Sequence, residues 1–253
     1  MVIIFPGGPP REQVETYTDQ FVDIVAGRMS LSPAAVNGHY FTDYPAALDF
    51  LKGHPDAFII SSLGFYLSRR EVLHLIPLAS VEMSAGSGGR YYLMVKKGTA
   101  GALDDMKGKT IAGSTLFEDP VFLKKVVFGG KLDPRSDLTL DPTSRPLSAI
   151  RKAARGELGG VLLDDVQYNS LKALPLFEEL AVIYESPRLP EVGLMMVDTS
   201  ANRNMKEKLL HALTTLGETE AGAEVFSSFG MKGFSRIDPD SLDEVIRQYD
   251  ETD

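Results

Sequence analysis

The sequence predicts an α/β fold of two lobes, each a mixed, mostly parallel sheet flanked by helices, joined by two hinge strands. Three observations predict it. Short apolar strands alternate with helical segments along the chain. Residues 90–190 carry 15 Lys/Arg and 13 Asp/Glu, a net charge of +2, whereas the two flanks together carry 11 and 22, a net charge of −11. The glycine-rich stretch SAGSGGR at 84–90 precedes this middle segment.

The charge distribution also suggests where the lobes begin and end. A near-neutral middle between acidic flanks fits a segment inserted into another domain, so we expect a discontinuous lobe I at 1–88 and 192–253 and an inserted lobe II at 89–191. Glycine gives the backbone the freedom that a moving hinge needs, which places one hinge at 86–89 and the second crossing near 187–192.

Composition excludes several classes of protein. The 253 residues are 43% hydrophobic and 24% charged, which is ordinary for globular chains. No apolar run approaches the roughly 18 residues of a membrane span. The absence of Cys excludes disulfides and thiolate metal sites, and the net charge of −9 argues against nucleic-acid binding. The first five residues resemble a buried strand more than a signal peptide, so we expect either a cytosolic start or a leader already removed.

The alternation between strand-like and helix-like hydrophobic periodicity gives the individual elements. Helices begin at good N-caps (Asp43, Ser144 and, with proline following it, Asp238) and several end at glycine. Strands are predicted at 2–5, 35–41, 56–60, 72–83, 91–95, 110–112, 138–140, 161–163, 181–184 and 192–197. Helices are predicted at 12–29, 43–51, 62–69, 102–106, 120–128, 144–155, 165–174, 202–216, 219–229 and 239–249.

Familiar catalytic and phosphate-binding motifs are absent. KGKT at 107–110 lacks the required upstream glycine, and it precedes its strand instead of following it. GSGGRY at 86–91 has tyrosine where the dinucleotide fingerprint needs a third glycine. Ser114 has no G-x-S-x-G surroundings, and the four histidines are scattered. The sequence therefore nominates no catalytic residue, no metal ligand and no cofactor.

Hydroxyls at two strand-to-helix junctions are the candidate binding groups. Ser61-Ser62 and Ser114-Thr115 each follow an apolar strand and open a helix, one pair in each predicted lobe. Taken singly, each pair is best explained as an N-cap. Taken together, they raise the odds of a shared ligand site, because free N–H groups and the positive helix end attract anions.

A third junction carries carboxylates. Asp164 and Asp165 follow a strand and precede a helix, so one of them caps the helix, or Asp164 faces the ligand. Arg90 either reaches a ligand anion or pairs with Asp164. The sequence leaves these alternatives open.

Several segments resemble a known family. They are SSLGFYL at 61–67, LDDMKGKTIAGS at 103–114, AIRKAARGELGGVLLDD at 149–165, and the C-terminal stretch from KEKLLHALTTLGE to SLDEVI at 206–246. With them the chain resembles the type II periplasmic binding proteins, specifically the phosphate/phosphonate-type receptors of ABC importers.

The resemblance implies a non-enzymatic receptor without a cofactor. Such a receptor is monomeric and periplasmic or otherwise extracytoplasmic; it closes on a small polar or anionic ligand between its lobes and presents it to a membrane permease. Hydroxyls and N–H groups at helix starts would hold the ligand's anionic head, and the first strand–helix loop with Tyr91 would line the same cleft. The expected ligand-binding residues are Pro6, Gly7, Ser61, Ser62, Arg90, Tyr91, Ser114, Thr115 and Asp164.

One departure from the family keeps other functions open. The Ser/Thr run of the relatives at the second-lobe helix start is interrupted here by LFED at 116–119, and carboxylates facing the ligand would repel a phosphonate. The alternatives are a cytosolic biosynthetic enzyme on the same scaffold, with Asp164 or a histidine as general base, and a ligand-sensing module of a signalling protein.

Overall fold

The computed structural model describes residues 1–32, 35–84 and 89–251, and its chain divides into two compact units. Unit 1 is Met1–Ser84 with Glu191–Ser241, and unit 2 is Ala85–Pro190 with Leu242–Asp253. The chain thus passes between units after Ser84, Pro190 and Ser241, one more crossing than the two predicted. Of the predicted first hinge, residues 86–88 lie outside the described residues.

The strands follow the predicted order, with one addition. Residues 231–236, which the sequence analysis placed in no element, form a strand at the edge of the unit 1 sheet. The strands are β1 Val2–Ile4, β2 His39–Phe41, β3 Phe58–Ile60, β4 Leu75–Met83, β5 Tyr91–Lys96, β6 Thr110–Gly113, β7 Thr139–Pro142, β8 Gly160–Asp164, β9 Leu180–Glu185, β10 Leu194–Val197 and β11 Met231–Arg236.

The helices also match, apart from their ends. The predicted cap Ser144 is wrong: the N-cap position is Arg145, and Pro146 opens the helix. The helices are α1 Arg11–Arg28, α2 Tyr44–Lys52, α3 Leu63–Arg69, α4 Pro120–Phe122, α5 Pro146–Arg155, α6 Asp165–Lys172, α7 Ser200–Thr214, α8 Glu220–Ser228 and α9 Asp243–Asp250; a π-helical turn, Leu123–Val127, continues α4. Short 3₁₀ helices lie at Leu103–Met106, Ser114–Phe117, Pro175–Glu179, Leu216–Glu218 and Pro239–Leu242.

Unit 1 is built on a six-stranded mixed sheet in the order β11-β4-β10-β3-β1-β2. β1 pairs in parallel with β2 and β3, and β10 pairs antiparallel with β3 and β4. Amphipathic helices α1, α7 and α8 bury their apolar faces in its core. Fully buried examples are Val25, Leu213 and Phe226. Helices thus hold the sheet in place, and the carboxyl ends of β1, β2 and β3 lie at one edge.

Unit 2 is built on a five-stranded mixed sheet in the order β7-β6-β8-β5-β9. β6 pairs in parallel with β7 and β8, whereas β5 pairs antiparallel with β8 and β9. Met94, Val161 and Ala153 are fully buried in its core. The carboxyl ends of β6, β7 and β8 therefore share an edge, as in unit 1. The predicted α/β class with two sheets is confirmed.

The C-terminal helix α9 belongs to unit 2, whereas the sequence analysis assigned all of 192–253 to the first lobe. The Nζ of Lys125, in the π-helical turn, donates to the carbonyls of Tyr249 and Glu251. The amide of Gln248 donates back to the carbonyl of Lys125, with nitrogen and oxygen 2.7 Å apart. These bonds join α9 to the segment that follows α4. An amphipathic pattern reveals such a helix but not the surface on which it packs.

Candidate functional site

In unit 1, the loops after β1 and β2 are tied together by their backbones. The N–H of Phe5 donates to Phe41 O at 2.9 Å, and the N–H of Gly7 donates to Thr42 O at 3.1 Å. Gly7 has φ of +67°, a conformation that a side chain disfavours. The predicted residues Pro6 and Gly7 therefore lie beside the start of α2.

Ser61 and Ser62 follow β3 at the same edge and have different surroundings. Ser62 is the N-cap of α3, and its Oγ accepts from the N–H of Phe65 at 3.1 Å. Ser61 is only 8% exposed, and its N–H donates to Gly193 O at 2.9 Å. The Oγ of Ser61 is buried without a hydrogen-bond partner in the described part of the chain. Ser62 is thus explained by capping, but Ser61 is not.

Two tyrosines of unit 1 were missed by the sequence analysis. The hydroxyl of Tyr44, in the first turn of α2, lies 3.3 Å from Ser62 Oγ. Tyr40, in β2, is 7% exposed; burial raises the pKa of its hydroxyl to about 12, and that hydroxyl has no partner among the described residues. A Cβ on Gly8 would overlap it. Both tyrosines look like ordinary core or surface aromatics in the sequence, and no spacing marks them.

In unit 2, Ser114 and Thr115 open a 3₁₀ turn directly after β6. Thr115 is buried. Ser114 Oγ accepts from the side-chain Nε2 of Gln167, at 2.6 Å. The Oε1 of Gln167 is buried and has no partner in the described ranges. Ser114 is therefore held by an amide that the sequence analysis did not select, and this contact supplies no general base.

Asp164, at the end of β8, is the N-cap of α6. Its Oδ1 accepts from the N–H of Gln167 at 2.8 Å. Burial raises the pKa of Asp164, and hydrogen bonds from the backbone N–H groups of Gln167 and Val166 partly oppose that shift. Of the alternatives left open by the sequence, capping by Asp164 is the one observed.

Arg90 does not pair with Asp164 in the observed contacts. Its guanidinium forms an ion pair with Glu185 of β9, and its backbone N–H donates to Asp165 Oδ2 at 3.1 Å. The N–H of Tyr91 donates to Ser186 Oγ at 3.0 Å. These bonds tie the start of β5 to residues 185 and 186 within unit 2, so the charge of Arg90 is largely committed to a protein carboxylate.

Asp119 points back at its own helix. Its Oδ1 accepts from the N–H groups of Val121 and Phe122, at 2.8 and 3.2 Å, and from the hydroxyl of Tyr249 at 3.2 Å. The carboxylate is thus the N-cap of α4 and is tied to the C-terminal helix α9. The sequence left open whether the carboxylates of LFED at 116–119 face the ligand. The carboxylate of Asp119 faces the first turn of its own helix.

The described residues offer neither a metal site nor a membrane-spanning helix. Among the described residues, no three His, Cys, Asp or Glu side chains converge in a way that could hold a metal ion. No helix in the described ranges has both the length and the apolar character needed to cross a bilayer.

Comparison with known families identifies the class of protein. The model of the family described as ABC transporter, phosphonate, periplasmic substrate-binding protein matches residues 7–242. The chain belongs to this family. The resemblance found in the sequence is thereby confirmed, and the function of the chain is that of a solute-binding receptor, a role without catalysis in this family. No curated protein sequence matches the chain.

Solved structures show the same fold at low identity. A Xanthomonas citri protein solved with ATP is 15% identical with a TM-score of 0.76, over 98% of this chain and 96% of that one. A binding protein of an ABC phosphonate transporter from Pseudomonas aeruginosa is 15% identical with a TM-score of 0.71, over 98% and 84%. PhnD1 from Prochlorococcus marinus, in complex with methylphosphonate, is 11% identical with a TM-score of 0.69, over 98% and 96%.

Proposed function

We propose that this receptor serves an ABC importer outside the cytoplasm and binds a small solute with one anionic, phosphonate-like group. The anionic group is held at the strand-end edge of unit 1, by Ser61 and Ser62 with Tyr44 and the loop of Pro6 and Gly7. The residues expected from the sequence in unit 2 (Arg90, Tyr91, Ser114, Thr115 and Asp164) stay predicted ligand contacts of that unit. Membership of the family supports the role, and the permease is the expected membrane partner.

The observation that carries this proposal is the hydroxyl of Ser61. A buried hydroxyl without a partner costs about 1–3 kcal/mol, so proteins rarely keep one that does nothing. Ser61 Oγ is such a group, and it adjoins Ser62, whose Oγ lies 3.3 Å from the Tyr44 hydroxyl. Hydroxyls can donate to an oxyanion, whereas a carboxylate cannot. Three neighbouring hydroxyls therefore suit a phosphonate oxygen.

Two of the similar structures support the choice of ligand class. One was solved with methylphosphonate and another with ATP, and both of these molecules carry phosphorus oxyanions. Methylphosphonate, inorganic phosphate and ATP are therefore the first ligands to test, alongside a panel of aminoalkyl phosphonates and uncharged metabolites.

The experiment is a thermal-shift screen of that panel, followed by calorimetry on every hit. We expect at least one phosphorus oxyanion to raise the melting temperature, and Ser61→Ala to weaken its binding by about tenfold, the loss of one charge-assisted hydrogen bond. Ser228→Ala is the matched control, because the Ser228 hydroxyl donates to its own helix at Glu224 O. Small-angle scattering with and without the hit tests the predicted lobe closure.

The outcome that would end this proposal is equally specific. If wild-type protein binds only uncharged or cationic solutes, or if Ser61→Ala and Ser228→Ala bind the best hit alike, the anion is not held at Ser61. The transport role is tested separately, by whether the gene encodes an upstream export signal and lies next to a permease gene.

A further inference from the structure

Asn37 and Gly38 lie in the segment between α1 and β2 of unit 1. The chain has four asparagines, and Asn37 is the one that glycine follows. Asparagine is a thermally labile residue, and a following glycine makes it more reactive because glycine has no side chain to hinder attack by its own backbone nitrogen. Asn37 is exposed, so water reaches it. This segment therefore combines a reactive pair of residues with access to solvent.

The backbone nitrogen of Gly38 is not held by a hydrogen bond to any residue that the structure describes. The next N–H along the chain, that of His39, donates to Met1 O at 3.0 Å. Hydrogen bonds protect backbone amides from reactions that remove their proton, because the bond must open first. Within the described part of the chain, the nitrogen of Gly38 thus lacks the protection that His39 has.

Packing explains why the fold keeps glycine at this reactive position. A Cβ on Gly38 would lie 2.9 Å from Val22 Cγ2 and 3.1 Å from Thr18 Cγ2, both in α1. Thr18 and Val22 are buried, so a larger residue would force the helix and the loop apart. The chain therefore cannot protect Asn37 by placing a bulkier residue after it.

We infer that Asn37 is a site of spontaneous covalent modification in the folded protein. The Gly38 nitrogen, after losing its proton to the solvent, attacks Cγ of Asn37; the new bond closes a succinimide, and the side-chain nitrogen takes up a proton and leaves as ammonia. Water then adds to one of the two ring carbonyls and opens the ring. Addition at Cγ gives aspartate, and addition at the backbone carbonyl gives isoaspartate, in which the main chain runs through the former side chain.

The two products differ in their effect on the sheet. Aspartate adds one negative charge to an exposed position, which changes stability little. Isoaspartate lengthens the main chain by one carbon atom just before β2, which pairs with β1 in a register that places His39 opposite Val2. The end of the same strand holds the loop after β1, because Phe5 N–H donates to Phe41 O. Isoaspartate formation therefore displaces β2 and loosens this loop.

The test follows each asparagine of the folded protein by peptide mapping and mass spectrometry during incubation in mildly alkaline buffer. We expect Asn37 to be lost several-fold faster than Asn204. Asn204 is the matched control, because it is also exposed but lies within α7 and precedes Met205, whose N–H is held by the helix. Mildly acidic buffer should slow the loss of Asn37, since the attacking nitrogen must first lose its proton.

Two further readouts identify the chemistry at this position. Incubation in heavy-oxygen water should place one heavy oxygen atom at residue 37, because water opens the succinimide ring. Asn37→Gln should suppress the reaction, since its longer side chain would have to close a larger ring. If Asn37 reacts only in urea-unfolded protein, or if Asn204 reacts as fast as Asn37, the inference is wrong, whatever solute the receptor binds.

Urea unfolding of the separated products tests the consequence for the sheet. Asn37→Asp supplies the negative charge without the extra backbone atom, so we expect it to match wild type in stability. We expect the isoaspartate form, purified from aged protein, to unfold at a lower urea concentration than Asn37→Asp. Equal midpoints for the two forms would contradict the displacement of β2.

Discussion

The side-chain amide of Gln167 donates to the hydroxyl of Ser114 across 2.6 Å, joining the 3₁₀ turn after β6 to α6, the helix that follows β8 in unit 2. Gln167 is bound at its backbone as well, where its N–H donates to Asp164 Oδ1. Its Oε1 remains buried without a partner in the described part of the chain. Ser114, Gln167 and Asp164 thus form one hydrogen-bonded chain, and we expect a ligand donor to pair with the remaining oxygen.

Replacing Gln167 by methionine tests whether this residue matters more for ligand binding than for stability. Gln167→Met has similar length but no amide, so it loses the bond to Ser114 and also removes the unpartnered oxygen. We expect the free energy of unfolding to change by less than about 1 kcal/mol, because the two effects oppose each other. Solute binding should weaken several-fold, measured by calorimetry. Because the two side chains share one hydrogen bond, adding Ser114→Ala to Gln167→Met should weaken solute binding little further. If the losses of the two single variants add in full in the double variant, Ser114 and Gln167 are not coupled.

Asp164→Asn tests the electrostatics of the same chain. Burial raises the pKa of Asp164 above its ordinary 3.8, so the folded state takes up a proton more readily than the unfolded state. The stability that this group contributes is therefore present below pH 3.8 and lost as the pH rises through the raised pKa. Asparagine stays neutral and still caps α6.

Urea unfolding of both proteins from about pH 4 to about pH 8 measures the difference. We expect wild type and Asp164→Asn to be similar at the acid end and the variant to gain stability relative to wild type as the pH rises. A constant difference across that range would show that Asp164 titrates alike in the folded and unfolded states.

Most of the fold could be predicted because hydrophobic periodicity reports local structure directly. The ten predicted strands and most helices are observed, with ends that differ by a few residues. β11 was missed because MKGFSR alternates too weakly: Phe234 is its one buried residue. The assignment of α9 to unit 2 depends on long-range bonds such as Gln248 to Lys125, which no local pattern contains.

The candidate site was predictable only where a residue's role is local. Asp43 caps α2 through the N–H of Ala46 at 2.8 Å, as the sequence indicates. The pairing of Arg90 was not foreseeable, because its partner Glu185 comes from β9, which pairs with β5 in a register that only the folded sheet defines. Tyr40 and Gln167 were missed for a related reason. What marks each of them as a candidate is a buried polar atom without a partner in the described part of the chain, which only the folded structure shows.

Gly89→Ala tests the backbone at the start of unit 2. Gly89 has φ of +104°, and an added Cβ would collide with the carbonyl oxygen of Leu189, whose N–H donates to Gly89 O at 2.7 Å. Gly98→Ala is the control, since Gly98 has φ of +80° and open space around it. We expect Gly98→Ala to cost about 1 kcal/mol in the free energy of unfolding and Gly89→Ala about 1–3 kcal/mol more. If urea unfolding shows the same loss of stability for both variants, the backbone at Leu189 shifts to make room for the added Cβ.

Tyr40→Phe tests whether the buried hydroxyl of β2 is kept for binding. Because this hydroxyl has no partner in the described residues, its removal should raise the free energy of unfolding by up to about 1 kcal/mol. Tyr184→Phe is the matched control with the opposite sign, because the Tyr184 hydroxyl donates to Val127 O at 2.8 Å and its loss should destabilise by about 1 kcal/mol.

Binding separates a functional hydroxyl from a packing defect. If the solute reaches the Tyr40 hydroxyl beside the Gly8 backbone, Tyr40→Phe will be more stable than wild type and yet bind the solute several-fold more weakly. Tyr184→Phe will be less stable with unchanged affinity once measured below its unfolding temperature. A Tyr40→Phe protein with gained stability and full affinity would remove Tyr40 from the site. Among the described residues of unit 1, Ser61 would then be the other buried hydroxyl without a partner that could account for ligand binding.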